Sequence, residues 1–138
     1  MSQKKVRAAL ETRLNSWSTT NSIPINWEGT KSNNTAVKYV SATLIPANTT
    51  NPSYGTKHIR YKGTFRLLVR VQALDKGMAE IETISESLAQ QFPRGLVLTA
   101  SGLSVHIEST PSLRPSFIDG MYTIIPVDIE YRADSITI

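Results

Sequence analysis

The sequence predicts an α+β fold: a mostly antiparallel β-sheet with two helices packed on it, in the order α-β-β-β-α-β-β-β. Three observations point there. Residues 3–17 and about 76–92 carry apolar residues three and four apart, the period of a helix with one buried face. The runs between and after them alternate apolar and polar residues, the period of a half-buried strand. The two helical stretches interrupt strands that are otherwise joined as hairpins.

In the first helix Val6, Leu10, Leu14 and Trp17 form one stripe, with Ala9 beside it and Ser2 placed as N-cap. The polar run STTNS (18–22) is expected to end it, because Ser, Thr and Asn side chains compete for backbone hydrogen bonds. IPINWEG (23–29) reads as a short extended segment. Pro24 lacks an amide hydrogen and favours a sheet edge or a strand start. TKSNNT (30–35) is a polar loop, and AVKYVSATLIP (36–46) is a strand rich in β-branched and aromatic residues.

Residues 47–62, ANTTNPSYGTKHIRYK, read as a long flexible hairpin loop. Hairpin connections usually take about two to five residues, so a loop of this length points to function or disorder. GTFRLLVRVQAL (63–74) is a strand with Phe65, Leu67, Val69 and Val71 on one face. Thr64, Arg66, Arg70 and Gln72 take the other, where Leu68 interrupts the polar pattern.

The second helix carries Met78, Ile81, Ile84, Ser85, Leu88 and Phe92 on one stripe, with Asp75 placed to cap it. Pro93 ends it by holding Phe92 out of the helical region, and Gly95 supplies the freedom to reverse. LVLTA (96–100), LSVHIES (103–109) and MYTIIPVDIEYRA (121–133) are the closing strands. A tight ASG turn joins the first two. STPSLRPSFIDG (109–120) joins the last two and is long for a hairpin.

The chain has 138 residues, 40% hydrophobic and 19% charged, with net charge +4. That length holds one domain with a real core, and no repeat or linker divides it, so residues 1–138 read as a single domain. The charge surplus is mild beside that of a dedicated nucleic-acid binder. No cysteine is present, which removes disulfides, thiolate metal sites and cysteine nucleophiles, and fits assembly in a reducing cytoplasm. The first residues lack the apolar core of a signal peptide, and no apolar run approaches the ~20 residues of a membrane span.

Catalytic machinery is not legible. His58 falls in the long loop. His106 stands two residues before Glu108 on a strand, so a metal or acid–base pair is conceivable, but no further ligand lies near in sequence. The plain reading of both histidines is an exposed or interface surface. No serine sits in a nucleophile elbow, and no glycine-rich phosphate loop occurs. No cofactor or metal is expected. Residues 54–62 interleave Lys57, His58, Arg60 and Lys62 with Tyr54 and Tyr61. Such a segment binds phosphates and stacks bases in some proteins, and in others it docks an acidic protein neighbour.

The segments VRAALETRLNSW, IPINWEG, YVSATLIPA, GTFRLLVRVQALDKG and the run from Phe92 to Ala133 resemble, in this order, the bacteriophage tail terminator-like proteins. The last run is the most specific: FPRG, a strand, VHIESTPS, then a closing strand ending YRA. The resemblance covers nearly all the chain except 47–60. It implies a small α+β domain that forms a ring, typically a hexamer, on the head-proximal end of the tail tube. Such a ring stops tube polymerisation and meets the head connector. It is structural, with no reaction and no cofactor. Its partners would be further copies of itself, the tube protein and the connector, with DNA only passing through the lumen and no membrane. It would reside in the virion tail after assembly in the host bacterial cytoplasm.

A ring needs two different patches that meet between subunits. The candidates are Arg66 and Arg70 against Asp128 and Glu130, unless these pair within the sheet. Lys57, Arg60 and Lys62 are candidates for the tube or an adjacent subunit, and Arg114 and Phe117 belong to a proline-punctuated contact loop. Phe117 and Ile118 either tuck into their own core or bury against a neighbour. The alternatives are another head–tail joining or tail-completion protein or, from a different class, a nucleic-acid-binding module centred on 54–62.

Overall fold

Two helices lie on one face of a twisted eight-stranded sheet, and most of the large apolar side chains meet between these layers. The structure, a computed structural model, describes residues 2–29, 38–47, 49, 57–72, 78–100 and 103–137. The elements are α1 (Ser2–Asn21), β1 (Ile25–Asn26), β2 (Lys38–Pro46), β3 (Lys57–Gln72), α2 (Ala79–Gln90), β4 (Val97–Ala100), β5 (Leu103–Ile107), β6 (Ser112–Leu113), β7 (Phe117–Asp119) and β8 (Tyr122–Thr137). Asp75, the 30–35 loop, Ser101 and Gly102 of the ASG turn, and residues 50–56 lie outside the described residues.

The sheet order is β1-β2-β3-β8-β5-β4, with β6 and β7 also pairing with β8. Its spine is the antiparallel pair β3–β8, in register from Lys57↔Thr137 to Gln72↔Tyr122. The other edge of β8 is served in turn by β7 at residues 122–124, β6 at 127–128 and β5 at 131–134. Among the described strands only β1 runs parallel to its neighbour, at the sheet edge, where Pro24 was expected.

The predicted faces are the ones used. Phe65, Leu67, Val69 and Val71 of β3 and Ile125, Val127, Ile129 and Tyr131 of β8 are buried against the helices. The α1 stripe Val6, Ala9, Leu10, Leu14 and Trp17 and the α2 stripe Ile81, Ile84, Ser85 and Leu88 close the core from above, joined by Phe92. Phe65 and Phe92 meet edge to face at 6.3 Å between ring centroids. Met78 departs from its expected stripe: it is the N-cap residue of α2 and is exposed.

The helices also hold each other through polar groups. Trp17 Nε1 donates to Ser87 Oγ at 3.2 Å. Arg13 Nε donates to the Gln91 carbonyl at 2.8 Å. The last turn of α2 contains no basic residue, so α1 supplies the cation that a helix C-terminus favours. At the edge strand, Arg7 and the Leu44 amide both donate to Glu28, and these bonds, Arg7 first, hold that carboxyl below its ordinary value.

Three expectations are corrected. First, the helix runs past residue 17 to Asn21 and stops only at the end of STTNS. The hydroxyls of Ser16 and Thr19 bond back to the carbonyls of Thr12 and Asn15, four residues earlier, so they decorate the helix instead of breaking it. The stop comes at Ser22, in the left-handed region at φ 55°, where the Ile23 amide reaches back to the Ser18 carbonyl at 3.2 Å. That is a Schellman cap with serine in the position usually held by glycine.

Second, the loop predicted over 47–62 is shorter, because Lys57–Lys62 are strand. Alternation continues backwards through Gly63, and β8 extends to Thr137 to pair with it. Gly63 permits this: a Cβ there would lie 2.5 Å from the Ile45 carbonyl oxygen and 2.7 Å from the Tyr131 hydroxyl. Third, the connection over 109–120 is not merely a loop. It contains β6 and β7, both laid along β8, and the Arg114 amide bonds the Pro126 carbonyl at 2.8 Å.

Two substitutions test these assignments by chemical denaturation. Ser22→Gly should stabilise the fold by about 1 kcal/mol, the usual cost of a left-handed non-glycine residue. Gly63→Ala should destabilise it by about 1–3 kcal/mol, because backbone and not a flexible side chain must move.

Candidate functional site

The sheet face turned away from the helices carries most of the polar candidates. Even-numbered residues of β3 and β8 point to it, so strand alternation places Arg60, Lys62, Arg66 and Arg70 in one row. Each of these cations meets a carboxylate from the β8 side of the sheet. Arg60 Nε donates to Asp134 at 2.8 Å. Lys62 lies 3.9 Å from Glu108, which also stands 4.0 Å from Arg132. Arg70 lies 3.7 Å from Asp119.

The tightest member is Arg66, directly opposite Asp128 in the β3–β8 register. It binds Asp128 with two hydrogen bonds, Nε to Oδ1 at 2.7 Å and Nη2 to Oδ2 at 3.1 Å. Arg114, between β6 and β7, donates to the same Oδ2 at 3.0 Å. The Asp128 side chain is only 6% exposed, whereas those of Arg66 and Arg114 are 45% and 57% exposed. The Arg66 guanidinium holds the Asp128 carboxyl below its ordinary value; burial opposes this and Arg114 reinforces it. The same pairing raises Arg66. Charge-assisted paired bonds of this kind are the strong ones.

Of the alternatives open for Arg66 and Asp128, the chain itself makes the in-sheet pair. Arg70 also donates to Ser41 Oγ at 3.3 Å and lies over the Tyr39 ring, 5.8 Å from its centroid. Tyr39 in turn meets Tyr122 edge to face at 5.4 Å. This apolar patch buries Tyr39 and Ile124 on the polar side of the sheet. Glu130 is exposed and accepts from Ser109 Oγ at 3.3 Å. Lys57 lies at the start of β3, with its side chain outside the described set.

The second feature is the arm formed by residues 112–121. Every one of them is exposed, and the large apolar ones are Leu113 (40%), Phe117 (48%), Ile118 (73%) and Met121 (63%). Of the two options for Phe117 and Ile118, burial in the chain's own core is not taken. The arm is held underneath by its pairing with β8 and at its sides by Arg114–Asp128 and Asp119–Arg70. Leu113 and Met121 were not singled out from sequence, and neither were Asp119 and Asp134 as partners. The signal for the row of cations was present, since alternation counted back from Arg66 through Gly63 reaches Lys62 and Arg60.

His106 is half-buried beside Arg94, Glu108 and Arg132, and the Glu108 carboxylate is shared by cations. Among the described residues no group of three or more His, Cys, Asp or Glu is placed to hold a metal ion. No helix among them is long and apolar enough to cross a membrane. Among the described residues each cation of the row is balanced by a carboxylate.

Residues 5–131 match the family model described as phage tail terminator protein. No curated protein matches. A solved structure that carries no functional description is similar over 96% of each chain, with 29% identity and a TM-score of 0.80. A chain in the virion of a native gene transfer agent particle shares the fold, at 13% identity, over 96% of this chain and 97% of that one, with a TM-score of 0.70.

Asp128→Asn should lower stability at neutral pH by about 1–2 kcal/mol, since the exposed arginines regain water while the buried group loses its charge-assisted bonds. The pH dependence has a definite sign. The folded carboxyl titrates below its unfolded value of about 3.9, so its contribution is present above pH ~4 and is lost as pH falls through the folded value. Denaturation curves from pH 7 to 2 should therefore show wild type and Asp128→Asn converging in acid.

Proposed function

The chain belongs to the phage tail terminator family, and from that premise we propose that it forms a ring, hexameric in number, that caps the head-proximal end of the tail tube. The ring ends tube polymerisation and offers the joining surface to the head connector, and the genome passes through its lumen. Residues 1–138 act as one domain in this role. The observation that carries the reading is the family match across residues 5–131, nearly the full length of the folded sheet and both helices. It makes the chain a structural component of the phage tail, and it favours a structural role over a catalytic one.

The geometry supports this reading in two ways. An arm of exposed apolar side chains suits protein contact. The cations of the sheet face are spent on holding the sheet, which favours assembly over nucleic-acid binding. Lys62, Arg66, Arg114 and Glu130 keep exposed side-chain surface beside these pairs, where a neighbouring subunit or the tube can meet them. Assembly takes place in the host cytoplasm, a reducing compartment that suits a chain with no disulfide to form.

Removing this chain from tail assembly should give tubes longer than wild type that accept no heads, measured as a length distribution by negative-stain electron microscopy. Adding the purified chain during tube growth should restore a narrow distribution. Tubes of normal length that merely fail to join heads would transfer the protein to the tail-completion class.

A further inference from the structure

Two features of the fold are open to solvent. One is the apolar arm, Leu113, Phe117, Ile118 and Met121, all at least 40% exposed. The other is a groove of about 420 Å³ between α1 and β4, walled by Ala8, Ala9, Thr12, Val97, Leu98 and Thr99. Val97, at its mouth, is 47% exposed, and among the described residues β4 is the last strand of the sheet, with one edge unpaired. An exposed strand edge beside exposed apolar side chains is a surface that proteins ordinarily cover.

The arm cannot reach the groove of its own chain. It pairs with β8 at residues 122–124 and 127–128, whereas β5, which carries β4, pairs at 131–134. From Thr123 to Ala133 is ten residues along one strand, about 33 Å at ~3.3 Å per residue. Both ends of the arm are also tied down, by Arg114 to Asp128 and by Asp119 to Arg70.

Resting on the ring reading above, we infer that the arm of one copy docks into the α1–β4 groove of the next. The occupant is a second copy because one chain carries both halves of the joint at opposite ends of one rigid strand. Charge agrees with this. The arm carries Asp119, whose side chain is 70% exposed, and the groove wall carries the cation Arg13. A joint between two different patches propagates head to tail and closes into a ring when the rotation allows. Ile118, the most exposed apolar side chain of the arm, fills the groove, and Phe117 covers Val97. Asp128 is a positioning residue, which fixes the arm through Arg114 without itself entering the joint.

The test uses the full chain and its freedom from native cysteines. Light scattering behind size exclusion should find a multi-subunit species for wild type and folded monomers for both Ile118→Glu, on the arm, and Thr12→Trp, in the groove, with circular dichroism confirming the fold of each. Mixing the two variants should give a dimer and nothing larger, because each supplies the half the other lacks. A short bis-maleimide should link Ile118→Cys to Thr12→Cys in a mixture and leave either variant alone unlinked. If wild type assembles and both substitutions leave its mass unchanged, this joint is wrong while the ring stands. Linking of one cysteine variant to itself overturns the head-to-tail arrangement. If wild type stays monomeric up to millimolar concentration, the joint fails, and the tube-length experiment still decides the terminator role separately.

Discussion

The pairing of β3 with β8 is the constraint on which the rest of the structure depends. Residue 57 faces 137 and residue 72 faces 122, without interruption. Strand register is all or nothing, because a slip of one residue would turn every buried side chain to the polar face. Here both faces hold the register. On one side Phe65, Leu67 and Val69 lie opposite Ile129, Val127 and Ile125 in the core; on the other Arg66 lies opposite Asp128 and Arg60 opposite Asp134. Hydrophobic burial supplies the driving force, and the ion pairs make the wrong registers worse.

That second role explains why the charged row is worth keeping although exposed ion pairs contribute little stability, about 0–1 kcal/mol each. Lys62 and Arg132 are directly opposite one another, an unfavourable like-charge pair taken alone. Glu108, arriving from the end of β5, stands within 4.0 Å of both and relieves it. The Glu108 amide also bonds the Glu130 carbonyl, so the backbone turn and the charge arrangement require each other.

The outer edge of β8 shows how one long strand organises a surface. Three short strands share it, and the segments between them remain attached through single backbone bonds and the Arg114–Asp128 tie. The arm is thereby presented with defined geometry while its apolar side chains stay outside. Pro115 limits the arm's free conformations, so less entropy is lost when a partner covers it. A loop of the same composition lying free would expose the same side chains without placing them.

The sequence alone determined the two helices, the faces of the long strands and the α+β class, because these follow from periodicity within about 10–20 neighbouring residues. The stripe from Val6 to Trp17 and the alternation from Phe65 to Val71 are local facts and survive in the structure. It also carried the family resemblance, through the run from Phe92 to Ala133. What only the tertiary structure decided are matters of distant partners. Nothing local shows that Lys57–Lys62 is strand, since that depends on β8 running on to Thr137. Nothing local shows that Arg66 and Arg114 converge on one Asp128, or that residues 112–121 are laid along β8 with Phe117 and Ile118 facing outward. Pairing across a sheet joins residues more than sixty positions apart, such as Arg66 and Asp128, and local periodicity records which way a side chain points but not what it meets.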